Sequence, residues 1–111
     1  MSGTGRVASV TVSGRVCVVR LEGEVDVDSG PEVEEALSRA WRSPTDETRV
    51  ELAGLVFADS TLLNLLLGLW RRHRKEARAL TIAGPFTPAV RRLFEVTGTA
   101  GHLPLTEPHT P

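Results

Sequence analysis

Two short runs of β-branched residues stand near the start of the sequence. Residues 7–12 and 16–22 are separated by Ser13, Gly14 and Arg15, and this spacing is typical of a hairpin whose glycine can take a positive φ. In the second run Cys17, Val19 and Leu21 alternate with Val16 and Val18, so both faces are largely apolar before Glu22. We therefore predict two antiparallel strands, the second of which lies inside the sheet.

A helix is predicted after residue 29. Ser29 and Glu32 have the Ser-x-x-Glu spacing of a capping box, and Pro31 is tolerated in a first turn. Apolar residues then follow at helical spacing, namely Val33, Leu37, Ala40 and Trp41. Pro44 ends this helix.

The centre of the chain has the pattern of a strand, a helix and a second strand. Residues 50–57 form an apolar run, Asp59 and Ser60 offer helix caps, and the leucine-rich segment 62–70 begins a helix that should last to about Lys75. Residues 79–83 form the next strand. Two strands joined by such a crossover helix must be parallel.

A third helix and a short strand are predicted at the end. Thr87 can cap the helix, Pro88 lies in its first turn, and Gly98 stands at its C′ position. Its buried side is expected to contain Val90, Leu93, Phe94 and Thr97, and residues 103–105 form a last strand. The element order β-β-α-β-α-β-α-β predicts an α/β fold with a mixed sheet of four or five strands carrying the helices.

Composition limits the class of protein. A chain of 111 residues with 41% hydrophobic and 24% charged residues allows one domain over residues 1–111, and we expect an ordered core at about 7–105 with loose ends at 1–5 and 106–111. One cysteine and no recognisable signal segment predict a reducing, cytoplasmic setting. The apolar segment 62–70 is too short to span a membrane.

Charge is distributed unevenly along the chain. Seven acidic residues and no basic residue fall in the segment 22–35, whereas the segment 71–78 is strongly basic. The net charge of −1 and the pI near 6.3 argue against direct nucleic-acid binding. The basic residues at 71–75 could contact a phosphate group, or they could only complement the helix dipole.

The pair Asp59-Ser60 is the main candidate for chemistry, because ligands and partners of α/β sheets gather where strands end and helices begin. One of the two residues could simply cap the helix. Alternatively, a kinase could phosphorylate the Ser60 hydroxyl, and the added charge would be repelled by Asp59 and by Asp26 and Asp28 if their loop is adjacent.

A polar stripe follows Ser60 along the predicted helix. It consists of Thr61, Asn64, Gly68, Arg71 or Arg72, and Lys75. Such a stripe could face a partner protein, with Gly68 allowing close approach, or it could only face water. The three histidines have no metal-ligand spacing, and Ser60 lies in no Gly-x-Ser-x-Gly elbow, so neither a metal site nor an enzyme is expected.

Residues 21–26 (Leu-Glu-Gly-Glu-Val-Asp) and 50–61 (Val-Glu-Leu-Ala-Gly-Leu-Val-Phe-Ala-Asp-Ser-Thr) resemble the STAS domain of anti-sigma-factor antagonists, and residues 85–98 resemble its last long helix. The resemblance covers about residues 7–105. It implies a STAS-like fold and a regulator without cofactor or catalysis that binds an anti-sigma factor. That partner is also the ATP-dependent serine kinase, and a separate serine phosphatase reverses the modification. Ser60 matches the phosphorylated serine of the family, and Asp26 matches the acidic residue of its docking loop.

Two residues depart from the family pattern. Glu51 replaces the usual aspartate, and Leu62 stands in place of a glycine. Leu62 adds bulk where a kinase would approach Ser60, so either the partner has a matching pocket or phosphorylation has been lost. The expected partner-binding residues are Asp26, Asp59, Thr61, Leu62, Asn64 and Gly68. The alternative is a non-switching STAS subunit of a lipid-transport type transporter or of a sensory complex.

Overall fold

Five strands and three helices form the part of the chain that the structure describes, residues 7–107 of a computed structural model. The strands are β1 (Ala8–Ser13), β2 (Val16–Val25), β3 (Glu47–Ala58), β4 (Ala79–Ala83) and β5 (Leu105–Thr106). The helices are α1 (Gly30–Arg42), α2 (Ser60–Lys75) and α3 (Pro88–Val96). This order confirms the predicted α/β class and the sequence of elements.

The strands lie in the sheet in chain order, β1-β2-β3-β4-β5. β1 pairs with β2 in antiparallel orientation, whereas β2 with β3, β3 with β4, and β4 with β5 are parallel pairs. The predicted hairpin and the predicted parallel crossover are both confirmed.

One face of the sheet is apolar and packs against helices. Cys17, Val19 and Leu21 of β2 are fully buried, as the alternation predicted. The buried leucines of α2 in this core are Leu62, Leu63, Leu66 and Leu69. The opposite face carries polar side chains beside Val16 and Val18, and there the Arg20 guanidinium donates to the Glu51 carboxylate with 2.9 Å between Nη2 and Oε1. Period-two alternation therefore decides which face the helices cover.

The predicted capping box of α1 is wrong. Ser29 stands at the N-cap, but its hydroxyl accepts a hydrogen bond from the Asp26 N–H at 2.9 Å and makes no cap bond. The Glu32 carboxylate accepts instead from the Ala8 N–H at 3.2 Å. Ser29 thus bonds within the turn that precedes the helix, and Glu32 bonds to the edge of β1. The two side chains do not form the reciprocal cap that the sequence motif predicts.

The third helix also differs in detail from the prediction. The Thr87 hydroxyl donates to the Leu55 carbonyl at 3.2 Å and ties the start of α3 to β3 rather than capping the helix. Thr97 is exposed instead of buried, and its hydroxyl donates to the Leu93 carbonyl one turn earlier. Gly98 has φ +72°, which confirms its place just beyond the helix.

The ordered region extends slightly further than predicted. The last strand is Leu105–Thr106 instead of residues 103–105, and Thr106 pairs with Ala83. Thr106 is therefore not part of a loose end. The predicted loose end at 1–5, and residues 108–111 of the one predicted at 106–111, lie outside the described residues.

Candidate functional site

The carboxyl ends of β2 and β3 lie side by side and bring two aspartates to one edge of the sheet. Val25 and Ala58, the last residues of these strands, are register partners, and the Asp59 N–H donates to the Val25 carbonyl at 3.2 Å. Asp26 and Asp59 therefore follow neighbouring strand ends. The loop that carries Asp26 is therefore adjacent to Ser60. This adjacency is what the predicted repulsion between Asp26 and a negative charge on Ser60 requires.

Two helices begin at this same edge. α1 starts at Gly30 and α2 starts at Ser60. Their first turns are in contact, because a Cβ atom placed on Gly30 would lie 3.1 Å from Cγ2 of Thr61. Glycine at position 30 thus permits the close approach of the two helices. Both helix N-termini direct their partial positive charge toward the edge that carries the aspartates.

Asp59, and not Ser60, caps α2. Its Oδ1 atom accepts a hydrogen bond from the Thr61 N–H at 2.8 Å, and its backbone is extended. Ser60 is the first residue of the helix and is exposed. Asp59 therefore takes the capping role, and the side chain of Ser60 is left exposed at the start of the helix.

The Asp26 loop is held by a reciprocal pair of hydrogen bonds. The Ser29 hydroxyl accepts from the Asp26 N–H, and the Ser29 N–H donates to Oδ1 of Asp26 at 3.1 Å. Asp26 is half-buried, whereas Asp28 is exposed. The Asp26 carboxylate is consequently fixed beside the start of α1, while Asp28 is free to meet a partner.

Apolar side chains flank the site, and the sequence analysis missed them. Val27 is 73% exposed, Val56 is 60% exposed and Phe57 is 46% exposed. The register of β2 against β3 is irregular twice in this region, between Arg20 and Glu22 and between Gly23 and Glu24. These irregularities break the alternation of β3 and turn Val56 and Phe57 outward. The adjacent pair of apolar residues before Ala58 was the only signal in the sequence.

The polar stripe of α2 divides into an exposed part and a groove. Asn64, Arg71, Arg72 and Lys75 are exposed, whereas Thr61 and Gly68 are half-buried. Gly68 and Asn64 line a groove of about 180 Å³ between α2 and α1, whose other wall contains Glu34 and Ser38. Gly68 therefore faces the groove between the two helices.

The prediction that Leu62 contacts a partner is wrong. Its exposed fraction is 0%, and it belongs to the core cluster beneath α2. At the third position of the helix its side chain points into the core, so it neither covers Ser60 nor contacts a docked protein in this conformation. The bulk of Leu62 is thus no obstacle to a kinase.

Histidines, a possible metal site and a possible membrane span are the other candidate features of residues 7–107. Within residues 7–107 no group of three or more His, Cys, Asp or Glu side chains could hold a metal ion, and no helix there is long and apolar enough to cross a membrane. His73 is fully buried, and burial lowers its pKa, an effect that the hydrogen bond to the Leu69 carbonyl opposes and the charge of Arg78 reinforces. His102 is exposed, and His109 lies outside the described residues.

The amino-acid sequence is similar to those of known proteins. Residues 8–107 match the family described as "Mlab, STAS domain". The chain is 35% identical over 80 residues to the anti-sigma-B factor antagonist of Staphylococcus epidermidis, which covers 72% of this chain and 73% of that protein.

Solved structures have the same fold. An anti-sigma factor antagonist from Mycobacterium paratuberculosis superposes with a TM-score of 0.79 and 26% identity over 88% of this chain and 82% of its own. The Bacillus anti-sigma factor antagonist SpoIIAA in its unphosphorylated form has a TM-score of 0.76 and 23% identity, with 92% of this chain and 88% of that chain covered.

Proposed function

The chain belongs to the STAS domain family, and we propose that it acts as an anti-sigma factor antagonist. In this role it binds an anti-sigma factor in the cytoplasm and thereby releases a sigma factor, without catalysing a reaction itself. The identity to the staphylococcal antagonist and the match over residues 8–107 support this assignment. The partner is expected to be a serine kinase that binds ATP, and a separate serine phosphatase is expected to reverse the modification.

The observation that carries the proposal is the position of Ser60. The residue is exposed at the first position of α2, directly after the capping Asp59 and beside the strand end that leads into Asp26. A kinase can therefore reach the hydroxyl without local unfolding. A phosphate adds a charge of about −1.5 to −2 at neutral pH. Although the helix N-terminus favours an anion, two neighbouring carboxylates oppose it, so the modification changes the potential of the whole edge.

The docking surface surrounds Ser60. It combines the polar residues Asp26, Asp59, Thr61, Asn64 and Gly68 with the exposed apolar residues Val27, Val56 and Phe57. The apolar contacts supply affinity, whereas the acidic residues favour a partner with basic side chains and accelerate encounter. Phosphorylation then places like charges together and desolvates them on docking, which weakens the complex.

Calorimetric titration with the anti-sigma factor tests this proposal. The partner is first identified by affinity capture from the native cell, with mass spectrometry of both proteins and phosphosites. We expect S60A to bind like the parent and to lose phosphorylation, and S60D and the phosphorylated protein to bind more weakly. A 100-fold loss corresponds to about 2.8 kcal/mol.

Ser9→Asp is the matched control, because Ser9 is also an exposed serine but lies on β1, away from α2. It should leave the affinity unchanged. Equal affinity of the unmodified and phosphorylated proteins would disprove the switch, and failure to capture any anti-sigma factor would disprove the broader assignment.

A second function is favoured by the description of the matched family, "Mlab, STAS domain". In that case the chain is a non-switching STAS subunit of a lipid-transport type transporter, or of a sensory complex, and Ser60 has only a structural place at the start of α2. The same capture experiment distinguishes the two functions. A permease with its ATPase, recovered with unphosphorylated Ser60, would favour the transporter subunit.

A further inference from the structure

A cleft lies between the C-terminal ends of α1 and α2, at the other end of these helices from Ser60. With its 16 residues, α2 separates the two ends by about 24 Å. The cleft has a volume of about 470 Å³ and is lined by Ser38, Trp41, Arg42, Arg72, Lys75 and Glu76. We call it the Arg72 cleft. The cleft is shallow and open to solvent.

The basic side chains of this cleft are not used to cap α2. Three of the last four carbonyls of the helix already have backbone donors: the Glu76 N–H donates to the Arg72 carbonyl, the Ala77 N–H to that of Arg74, and the Arg78 N–H to that of His73, at 2.8 to 3.2 Å. Ala77 has φ +55°, which is the left-handed conformation that closes such an end. The dipole of α2 thus meets the backbone N–H groups of its own C-terminal turn.

The C-terminal end of α1 is likewise satisfied by another residue. Arg78 donates from Nη1 to the Trp41 carbonyl at 2.8 Å and from Nη2 to the Ser43 carbonyl at 3.4 Å. Its guanidinium carbon also lies 4.5 Å from the centre of the Trp41 ring. Arg78 therefore serves α1 and leaves the cations of the Arg72 cleft available.

Basic residues outnumber acidic residues in the lining of the Arg72 cleft. Arg42, Arg72 and Lys75 face a single carboxylate, Glu76, among the ionisable lining residues. Within the described chain, neither Arg72 nor Lys75 forms a salt bridge, and Arg42 has only a long contact of 3.7 Å to Glu35. The charges of the exposed side chains of Arg72 and Lys75 are therefore available to an anion.

Trp41 forms an aromatic wall of the cleft and orients Arg72. The guanidinium carbon of Arg72 lies 6.0 Å from the centre of the half-buried Trp41 ring, within the range of a cation–π contact. This contact reduces the freedom of the Arg72 side chain. A guanidinium held in this way can offer two parallel N–H donors to a phosphate, whereas Lys75 supplies a mobile point charge.

We propose that the Arg72 cleft binds a small phosphate-bearing ligand. Arg72 and Lys75 hold the phosphate oxygens, Ser38 supplies a hydroxyl, and Trp41 covers the remainder of the ligand. The acidic segment 22–35 belongs to the same domain and disfavours a duplex nucleic acid, so we expect the ligand to be a small molecule. This site is independent of Ser60 and needs no protein partner.

Titration with inorganic pyrophosphate tests the proposal. The fluorescence of Trp41 is followed in the full chain carrying Trp70→Phe, with ionic strength held constant by sodium chloride. We expect saturable binding that the double substitution Arg72→Ala with Lys75→Ala weakens at least 10-fold, and that Arg72→Lys weakens less. Arg72 and Lys75 are exposed, so the double variant should unfold at the same urea concentration as the parent.

Arg92→Ala on α3 is the matched control, because Arg92 is an exposed arginine outside the cleft. It should leave pyrophosphate binding unchanged. Absence of saturable binding, or an equal loss in Arg92→Ala, would overturn the proposal. A second titration uses phosphatidylglycerol vesicles against phosphatidylcholine vesicles. Binding of the anionic vesicles without binding of pyrophosphate would also overturn the proposal. It would indicate that the basic residues of the Arg72 cleft bind a membrane surface.

Discussion

The His73 imidazole and the Thr48 hydroxyl are hydrogen-bonded to each other inside the core, with 2.8 Å between Nε2 and Oγ1. Nδ1 of the same ring lies 2.9 Å from the Leu69 carbonyl. Because a carbonyl can only accept, Nδ1 carries the proton, and the neutral Nε2 accepts from Thr48. A residue of the basic segment 71–75 thus joins α2 to β3 in its uncharged form.

This arrangement predicts that acid destabilises the protein through His73. Burial lowers the pKa of His73 from its ordinary value of 6.5, so the folded state resists a proton that the unfolded state accepts. Stability is therefore constant above pH 6.5 as far as this group is concerned. Below that value it decreases by up to about 1.4 kcal/mol per pH unit, until the lowered pKa of the folded state is reached.

Urea denaturation followed by tryptophan fluorescence at pH 7.5 and pH 5.5 measures this effect. His73→Gln should remove much of the difference in the free energy of unfolding between the two pH values. His102→Gln is the control, because His102 is exposed, and it should retain the difference. An unchanged pH dependence in His73→Gln would assign the acid sensitivity to other groups.

Substitution of Thr48 tests the partner of this hydrogen bond. Thr48→Val keeps the shape but leaves the buried Nε2 atom without a donor, so we expect a loss of about 1 to 3 kcal/mol in the free energy of unfolding. Thr48→Ser keeps the hydroxyl and loses one methyl group, which costs about 1 kcal/mol. A Thr48→Val protein as stable as the parent would show that the bond contributes nothing.

Substitutions of Leu62 and Asn64 distinguish a core residue from a residue of the docking surface. Because its side chain is fully buried, Leu62→Ala should lower the free energy of unfolding by about 2 to 5 kcal/mol and leave the partner affinity of the folded protein unchanged. Asn64→Ala should show the reverse, since Asn64 is exposed on the proposed docking surface. Calorimetry with the partner and urea denaturation separate the two effects. A large loss of affinity in folded Leu62→Ala would return this residue to the interface.

Asp59 has a structural and an electrostatic role that two substitutions can separate. Asp59→Ala removes the acceptor of the Thr61 N–H, and we expect a loss of about 1 kcal/mol in stability. Asp59→Asn retains a cap and removes only the charge. We expect both variants to change partner affinity to a similar extent, measured by titration. A change in Asp59→Ala alone would mean that the cap, and not the charge, supports docking.

Regular patterns were sufficient to predict most of the fold. The hairpin, the parallel crossover and the place of Asp26, Asp59 and Ser60 at one edge all depend on alternation and on the rule that parallel strands end together. Leu62, Leu66, Leu69 and His73 also follow one helical period, so the burial of His73 could have been predicted from its spacing. The basic residues around it concealed this signal.

Features that depend on contacts between distant segments could not be predicted. Glu32 has the spacing of a capping residue, but it bonds to the Ala8 N–H because the first strand lies at the sheet edge beside α1. The outward turn of Phe57 depends on irregular pairing between β2 and β3, which alternation within one strand does not contain. A local motif describes what a side chain can do, and the packing of other segments decides whether it does so.

The agreement between strand order and chain order has a consequence for how the molecule assembles. Each strand pairs only with its neighbours in sequence, so every pairing closes a loop no longer than one helix and its connections. Short closures cost little chain entropy and favour rapid folding. During synthesis the hairpin can form first, and each later strand can then join an edge already in place, so the sheet grows in one direction as the ribosome releases the chain.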